Sequence, residues 1–225
     1  MRDLTGTVWT RRRFMTAVAA TGVASAVTMR GVDAQTKSPM GVHEAIQELT
    51  AGNERFMAGK LTSFELDLKI LREKTVEKQE PFAAILACAD SRVPVELIFD
   101  QSIGHLFVAR VAGNMMTPEI IGSLEYGVAV LGVKAIMVLG HGKCGAVSAA
   151  MKGQEVPGQI SALYQHMMPA IREIGDIEAA VKANARFQAQ LLRESSTVIA
   201  KAIKENQVRV AAGYYDLGSG RVTVL

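Results

Sequence analysis

Two cysteines and one histidine form the most chemically informative set of residues in the chain. Cys88 begins the run Cys88–Arg92, and His141 and Cys144 belong to the run His141–Gly145. Zinc accepts cysteine sulfur and histidine nitrogen in tetrahedral sites, and a catalytic zinc keeps one position open for water or substrate. Three protein ligands fit that open arrangement better than a closed structural site, which needs four. We therefore predict a zinc ion held by Cys88, His141 and Cys144.

A disulfide between the two cysteines is the alternative interpretation, because exported chains often contain one. A disulfide needs neither the neighbouring histidine nor the acidic and basic residues after Cys88, so it does not explain them. Asp90 can supply or withdraw a fourth zinc ligand. Arg92 lies two residues further on, where a bidentate pair with Asp90 would keep the carboxylate ionised and away from the metal. We predict that Asp90 and Arg92 act in catalysis.

The segments before Cys88 and His141 indicate how these residues come together. Cys88 follows the apolar run Phe82–Ala87, and His141 follows the run Ala135–Gly140. Both runs predict buried strands followed by helices, which is typical of a parallel α/β sheet. Ligands of such sheets collect beyond the carboxyl ends of the strands. The predicted fold is therefore α/β, with a central, mainly parallel β-sheet flanked by helices and preceded by an N-terminal helical arm.

Hydrophobic periodicity predicts the remaining elements. The pattern favours a strand, short helix, strand, helix and strand from residue 82 to Gly140, and a helix that opens at Cys144. The other predicted helices are His43–Ala58, Asp67–Gln79, Ile160–Ile171 and Ile177–Lys204, and the last two predicted strands are Gln207–Tyr214 and Arg221–Leu225.

With these motifs in place, the chain resembles the β-class carbonic anhydrases over nearly all of its length after residue 34. The segments that carry the resemblance are Ala45–Phe56, Gln79–Phe82, Cys88–Pro94, Leu106–Asn114, Ser123–Tyr126 and His141–Gly145. The resemblance implies zinc on Cys88, His141 and Cys144, beside an Asp90–Arg92 pair. It also implies that Gln79, Phe107 and Tyr126 line the substrate pocket and that the Gly145 amide lies near bound anion. A homodimer or homotetramer with pocket residues shared across the interface is expected.

Two positions depart from the family pattern. His105 stands where an acidic residue is common, so a local salt bridge is expected to be missing. Members regulated by bicarbonate at a second site carry a tryptophan three residues before the first cysteine, and this chain has Ile85 there. The resemblance therefore favours the unregulated subtype with an open zinc site.

The expected reaction is zinc-dependent, reversible hydration of carbon dioxide to bicarbonate. Thiolate ligands make zinc a poorer Lewis acid than imidazoles do, so we expect Asp90 to compensate by accepting a hydrogen bond from the attacking hydroxide. Arg92 would hold Asp90 in place, and Gln79 would donate to a substrate oxygen. Two alternatives remain at this point. One is hydrolysis of carbon disulfide or carbonyl sulfide on the same scaffold, and the other is a non-catalytic zinc or redox module.

Residues 1–34 are predicted to be a signal peptide that directs the protein to the periplasm. Arg11, Arg12 and Arg13 precede the short apolar stretch Ala17–Val27, and Val32–Ala34 is a cleavage site of small residues. Such a stretch is too short for a membrane span, which needs about 20 apolar residues. Adjacent arginines suggest the twin-arginine route. A disordered basic tail is the alternative.

Removal of this leader changes the charge balance and the classes of partner. The whole chain has 25 basic and 22 acidic residues. Residues 1–34 hold five arginines and two aspartates, so residues 35–225 carry 20 of each. A neutral mature chain does not favour nucleic-acid binding, and no stable membrane insertion is expected once the leader is gone. Residues 35–225 are long enough for one domain with its own core.

Overall fold

Five β-strands form one mixed sheet in the computed structural model of the chain, which describes residues 40–63, 69–70, 73 and 75–225. The strands are β1 (Ala83–Ala87), β2 (Leu106–Arg110), β3 (Ala135–His141), β4 (Arg209–Tyr215) and β5 (Val222–Val224). Their order in the sheet is β2-β1-β3-β4-β5. The first four are parallel, and β5 pairs with β4 in the antiparallel sense. The predicted α/β fold with a mainly parallel sheet is confirmed.

Helices connect the parallel strands and cover both faces of the sheet. They are α1 (Val42–Met57), α2 (Val95–Ile98), α3 (Pro118–Ala129), α4 (Gly145–Met151), α5 (Tyr164–Ile171), α6 (Ile177–Ser195) and α7 (Thr197–Lys204), with a 3₁₀ turn at Ile160–Leu163. Thr117 begins α3 as an N-cap whose side chain accepts a hydrogen bond from the Ile120 amide, and Pro118 follows it. Proline suits the first helical position because that amide would have no partner in the helix.

Alternate residues of the central strands pack into two separate cores. Ala84 and Leu86 of β1 contact the core that includes residues of α3, α6 and α7. Ala83 and Ile85 face the opposite core, which includes residues of α1 and α2. Because both faces are buried, the strands read as continuous apolar runs in the sequence. Ile85, fully buried, therefore serves the core.

The strand register brings the two predicted ligand segments to the same edge. β1 and β3 are neighbours, and Ala87 pairs with Leu139. Cys88 therefore emerges next to Gly140, one residue before His141. Arg110, the last residue of β2, pairs with Ala87 on the other side. The carboxyl ends of three adjacent strands thus converge on one place, as the sequence predicts.

Three predicted helices differ from the structure. The predicted helix Ile177–Lys204 is interrupted at Ser196, whose backbone is extended and whose hydroxyl caps α7 by accepting from the Ile199 amide. The predicted helix Ile160–Ile171 begins as the 3₁₀ turn. The predicted helix Asp67–Gln79 falls partly outside the described residues, and residues 75–79 are not helical. Pro81 follows closely, and a proline disfavours helical backbone in the residue before it.

Among the residues that the structure describes, no helix combines the length and the apolar character needed to cross a membrane.

Candidate metal and active site

Cys88 is fixed at the end of β1 by hydrogen bonds to its sulfur and to its carbonyl. The Gly113 amide donates to Cys88 Sγ over 3.3 Å, and the Arg110 Nε donates to the Cys88 carbonyl over 2.9 Å. Only 4% of Cys88 is exposed. The sulfur is therefore held in one orientation with an amide hydrogen directed at it, which favours the thiolate.

His141 presents one ring nitrogen that makes no hydrogen bond to any described residue. Its Nδ1 lies 3.0 Å from the Gly142 carbonyl. A carbonyl can only accept, so Nδ1 carries the proton and Nε2 keeps its lone pair. Nε2 is buried and makes no hydrogen bond within the described part of the chain. This is the tautomer that a metal-binding histidine needs, with the second nitrogen oriented by a carbonyl.

Cys144 stands at the N-terminus of α4. It is the N-cap residue, its backbone is extended, and 1% of it is exposed. Its sulfur lies 4.0 Å from Cys88 Sγ, and both cysteines are free. The sequence folds this way because His141 ends β3, and Lys143 then turns the chain through a left-handed conformation (φ 53°) into the helix.

The three ligand atoms fit a zinc ion in number, chemistry and separation. They lie within 4.8 Å of one another, and all three residues are buried. Two sulfurs and one imidazole nitrogen form a donor set that zinc accepts. A buried imidazole nitrogen without a hydrogen-bond partner is costly unless something else occupies its lone pair. A metal ion would satisfy it.

The two thiols share their protons unequally. The pKa of Cys88 is lowered, chiefly because the Cys144 thiol donates a hydrogen bond to it and also because of the Gly113 amide, although burial opposes the shift. The pKa of Cys144 is raised by the same hydrogen bond, by burial and by the negative charge of Cys88. Of the two sulfurs, Cys88 is therefore the one on which the surrounding hydrogen bonds favour the thiolate.

Arg92 holds the Asp90 carboxylate next to the ligand set. Arg92 Nε donates to Oδ1 over 2.9 Å and its terminal nitrogen donates to Oδ2 over 2.7 Å. The Arg92 amide adds a third bond, over 2.9 Å, to Oδ1. Asp90 Oδ2 remains 3.9 Å from His141 Nε2. The predicted bidentate pair thus forms, and it lowers the pKa of Asp90 well below its usual range, chiefly through the Arg92 hydrogen bonds.

Arg110 has a part in this site that the sequence did not single out. Its guanidinium donates to the carbonyls of both Cys88 and Asp90. It thereby fixes the backbone on either side of Ala89, between the first ligand and the acidic residue. The signal that could have revealed this role is an arginine at the end of the predicted strand next to β1.

The predicted pocket residues differ in how close they lie to the candidate ligands. Gly145 begins α4 directly after the ligand Cys144, and its backbone nitrogen lies in the first turn, where helical amides have no partner within the helix. Phe107 and Tyr126 lie together, with ring centroids 6.2 Å apart. Phe107 pairs with Ala84, four residues before Cys88, which is roughly 13 Å along a strand. Gln79 is exposed in the segment before β1. One chain therefore brings the three candidate ligands together with Asp90, Arg92 and Gly145, and keeps the aromatic pair apart from them.

Known proteins match most of the chain. The family profile described as "Carbonic anhydrase" matches residues 83–222. A carbonic anhydrase of Mycolicibacterium smegmatis is 34% identical over 196 residues, which cover 82% of this chain and 92% of the relative. Carbonic anhydrase 2 of Mycobacterium tuberculosis is 32% identical over 196 residues, covering 83% and 93%.

Solved structures are similar to the chain in fold. A β-carbonic anhydrase of Coccomyxa in complex with acetazolamide is 26% identical, with a TM-score of 0.61 over 70% of this chain and 77% of that one. A tetrameric β-carbonic anhydrase of Sordaria macrospora is 24% identical, with a TM-score of 0.63 over 80% and 96%. The second likeness supports the fold alone.

Proposed function

Because the chain belongs to the β-carbonic anhydrase family, we propose that it hydrates carbon dioxide reversibly to bicarbonate and a proton, with zinc held by Cys88, His141 and Cys144. One observation carries the proposal most directly. The two sulfurs and the free His141 nitrogen converge within 4.8 Å, and Asp90 Oδ2 lies 3.9 Å from that nitrogen. The ligand set and an ionised carboxylate therefore occupy the same edge of the sheet.

The residues beside the ligands suit the hydration of a small, uncharged substrate. Zinc bound there would supply the Lewis acidity that ionises a water molecule near neutral pH. The Asp90 carboxylate can only accept hydrogen bonds, so it can orient the hydrogen of the attacking oxygen and leave a lone pair directed at carbon dioxide. Arg92 keeps Asp90 ionised and prevents its rotation. The Gly145 amide is placed to donate to the anionic product.

Carbon dioxide is favoured over the other substrates that the sequence admits. The relatives that match over most of the chain are carbonic anhydrases. A paired Asp90 and Arg92 beside the ligands also gives the site a hydrogen-bond acceptor for hydration, which a purely structural zinc module does not need. Neither observation favours a carbon disulfide hydrolase, a carbonyl sulfide hydrolase or a redox module.

Stopped-flow carbon dioxide hydration on protein of known zinc content tests the proposal. We expect hydration that disappears when a chelator removes the zinc under reducing conditions and returns when zinc is restored. Protein that keeps one zinc per chain and shows no hydration above buffer would contradict it.

The substrate pocket is proposed to be completed by a second copy of the chain. Phe107 pairs with Ala84, four residues before Cys88, its ring lies beside that of Tyr126 from α3, and 45% of Tyr126 is exposed in the single chain. Phe107 belongs to β2, which ends the sheet on one side. In a homodimer or homotetramer, both rings would approach the metal site of the partner subunit and line its substrate pocket.

Sedimentation velocity of the wild-type chain and of Tyr126→Ala tests this assembly. We expect a dimer or tetramer for the wild type at micromolar concentration, and a higher KM or weaker association for the variant. A fully active wild-type monomer would contradict the shared pocket.

The export signal remains a proposal as well, because residues 1–34 lie outside the described residues. Replacing Arg11, Arg12 and Arg13 with lysine is expected to leave active protein in the cytoplasm, as judged by fractionation with a periplasmic marker. Unchanged export would contradict the twin-arginine route.

The metal site gives a reason for export in the folded state. Cys88 Sγ and Cys144 Sγ are 4.0 Å apart, so an oxidising compartment would threaten them before zinc binds. We expect a leader for unfolded export to yield periplasmic protein poor in zinc and partly disulfide-bonded. Equal zinc content by both routes would remove this reason.

A further inference from the structure

Two buried amide side chains of α6, Asn184 and Gln188, hold the loop that donates a hydrogen bond to Cys88. We propose that this pair positions the Gly113 amide on the sulfur of Cys88 and thereby tunes that sulfur as a metal ligand. The inference rests on the proposed zinc site and concerns residues that do not themselves contact the metal.

Asn184 and Gln188 are fully buried, and their bonds form a chain with a single direction. Gln188 Oε1 accepts from the Met116 amide over 2.8 Å. Gln188 Nε2 is therefore the donor, and it bonds to the His166 carbonyl and to Asn184 Oδ1. Asn184 Nδ2 in turn donates to the Gly113 carbonyl over 2.9 Å. The backbone donor at Met116 and the carbonyls leave each amide only this orientation.

The loop that these amides hold has little freedom at Gly113. The Asn114 amide donates to the Val111 carbonyl over 2.9 Å, and Gly113 has φ +78°. A turn of this kind, with a positive φ at its third residue, favours glycine. A Cβ at Gly113 would also come within 2.5 Å of Met167 Sδ. The turn brings the Gly113 nitrogen to 3.3 Å from Cys88 Sγ.

The amide pair holds this loop at two points, one within the turn and one just after it. Asn184 holds the carbonyl of Gly113 itself, and Gln188 holds the amide of Met116, three residues later. The two side chains are one helical turn apart on α6 and therefore project from the same face. Movement of the loop away from Cys88 would break both bonds and leave buried polar groups unpaired, which is costly.

A hydrogen bond to a metal-bound thiolate withdraws electron density from the sulfur. Loss of the Gly113 bond should therefore make Cys88 a stronger electron donor, which lowers the energy of a sulfur-to-metal charge-transfer band. It should also free the Cys88 side chain to reorient, and the loss of a preformed ligand geometry weakens metal binding. Partners of this kind, outside the ligands themselves, typically change metal affinity or activity by about 10- to 100-fold when they are removed.

Asn53 provides a matched control elsewhere in the fold. It is also a buried amide, with 2% exposure, and it donates to the carbonyls of Ile98 and Gly220 and accepts from the Val222 amide. None of these partners bonds to a proposed ligand. Loss of Asn53 should destabilise the fold through buried unpaired groups and leave the metal site unaltered.

The test compares Asn184→Ala with Asn53→Ala in the full chain, using zinc competition against a chelator and the absorption spectrum of the cobalt(II) form. We expect Asn184→Ala to bind zinc about 10-fold or more weakly and to move the sulfur-to-cobalt charge-transfer band to lower energy. Asn53→Ala should keep the wild-type zinc affinity and band position. Gln188→Met, which is close in volume and removes both of its bonds to the loop and to Asn184, should shift the band in the same direction as Asn184→Ala.

Wild-type zinc affinity and an unmoved cobalt band in folded Asn184→Ala and Gln188→Met would overturn the inference. An equal shift in Asn53→Ala would do the same, because it would reflect general loosening. If both α6 variants fail to fold while Asn53→Ala folds, the pair serves folding and the positioning role is overturned. A wild-type chain that binds neither zinc nor cobalt would instead refute the proposed metal site, together with this inference.

Discussion

Two aspartate–arginine pairs in this chain share their chemistry and differ in what surrounds them. Asp90 pairs with Arg92 beside the metal ligands, and Asp100 pairs with Arg55 beneath α1. The side chain of Arg92 is 51% exposed and that of Asp90 is 18% exposed. The Asp100 side chain is completely buried.

Their hydrogen-bond partners explain the difference in use. Asp100 accepts hydrogen bonds from Arg55 and also from the backbone and hydroxyl groups of Thr62 and Ser63, so both of its oxygens are occupied by donors within the protein. Asp90 is bonded by Arg92, and its Oδ2 still lies toward His141. A carboxylate whose acceptors are all occupied stabilises the fold. One with an acceptor directed at a ligand set can act on a substrate.

The largest effect is expected from removing a ligand beside Asp90. Cys88→Ser, His141→Ala and Cys144→Ser should each lose most of the zinc and essentially all hydration activity, because three ligands leave no redundancy. The Asp100 network should stay intact, so the variants should remain folded by circular dichroism. Full zinc occupancy in one variant, measured by elemental analysis, would remove that residue from the ligand set.

Asp100→Asn should lower the free energy of unfolding and leave the hydration rate nearly unchanged. Removing one partner of a buried ion pair costs about 3 kcal/mol or more, and an asparagine would also direct an amide group at donors. Urea unfolding should show this loss. Activity per folded, zinc-bound chain should stay within about twofold of wild type, and a drop of tenfold would mean that Asp100 reaches the site.

Asp90→Asn should produce the opposite pattern. Loss of a positioned acid–base group lowers the rate by roughly 10²-fold, while solvent screens an ion pair whose arginine is half exposed, so this pair contributes less to stability than a buried one. We expect retained zinc, a smaller loss of unfolding free energy than in Asp100→Asn, and a kcat lower by about 10²-fold. Wild-type turnover would eliminate the proposed role of Asp90.

The pH dependence of stability should reveal the contribution of the Asp100 pair as a smaller effect. Burial raises the pKa of Asp100, but the hydrogen bonds from Arg55, Thr62 and Ser63 outweigh it, so the folded-state pKa is lowered. A group with a lowered folded pKa stabilises the protein above its unfolded pKa, about 3.9 for aspartate, and loses this effect as pH falls toward the folded value. The stability gap between wild type and Asp100→Asn should therefore be full at pH 7 and narrow below about pH 4. A gap independent of pH in urea titrations would contradict this.

Much of the proposed metal site was predictable because two of its three ligands follow recognisable strand patterns and the third lies three residues after His141. Cys88 and His141 come directly after buried apolar runs, and parallel strands bring such positions to one edge. Arg92 was predictable as a partner of Asp90 from their spacing of two residues.

Other parts had no signal in the sequence. The Gly113 hydrogen bond to Cys88 comes from the backbone, which every residue carries. The Asp100 carboxylate accepts hydrogen bonds from Ser63, 37 residues earlier in the chain, and from Thr62 beside it. Local sequence does not indicate such distant partners. Ser196 interrupts a long helical pattern because one hydroxyl caps α7, and periodicity does not detect a single cap. The separation of Phe107 from Cys88 became visible only through the strand register.

The hydration rate per bound zinc, measured by stopped flow for wild type, Asp90→Asn and Asp100→Asn side by side, tests the central claim most directly. We expect a rate in wild type and Asp100→Asn that is proportional to the bound zinc, and a rate in zinc-loaded Asp90→Asn that is lower by about 10²-fold. Zinc-loaded wild type without hydration, or Asp90→Asn with the wild-type rate, would contradict it.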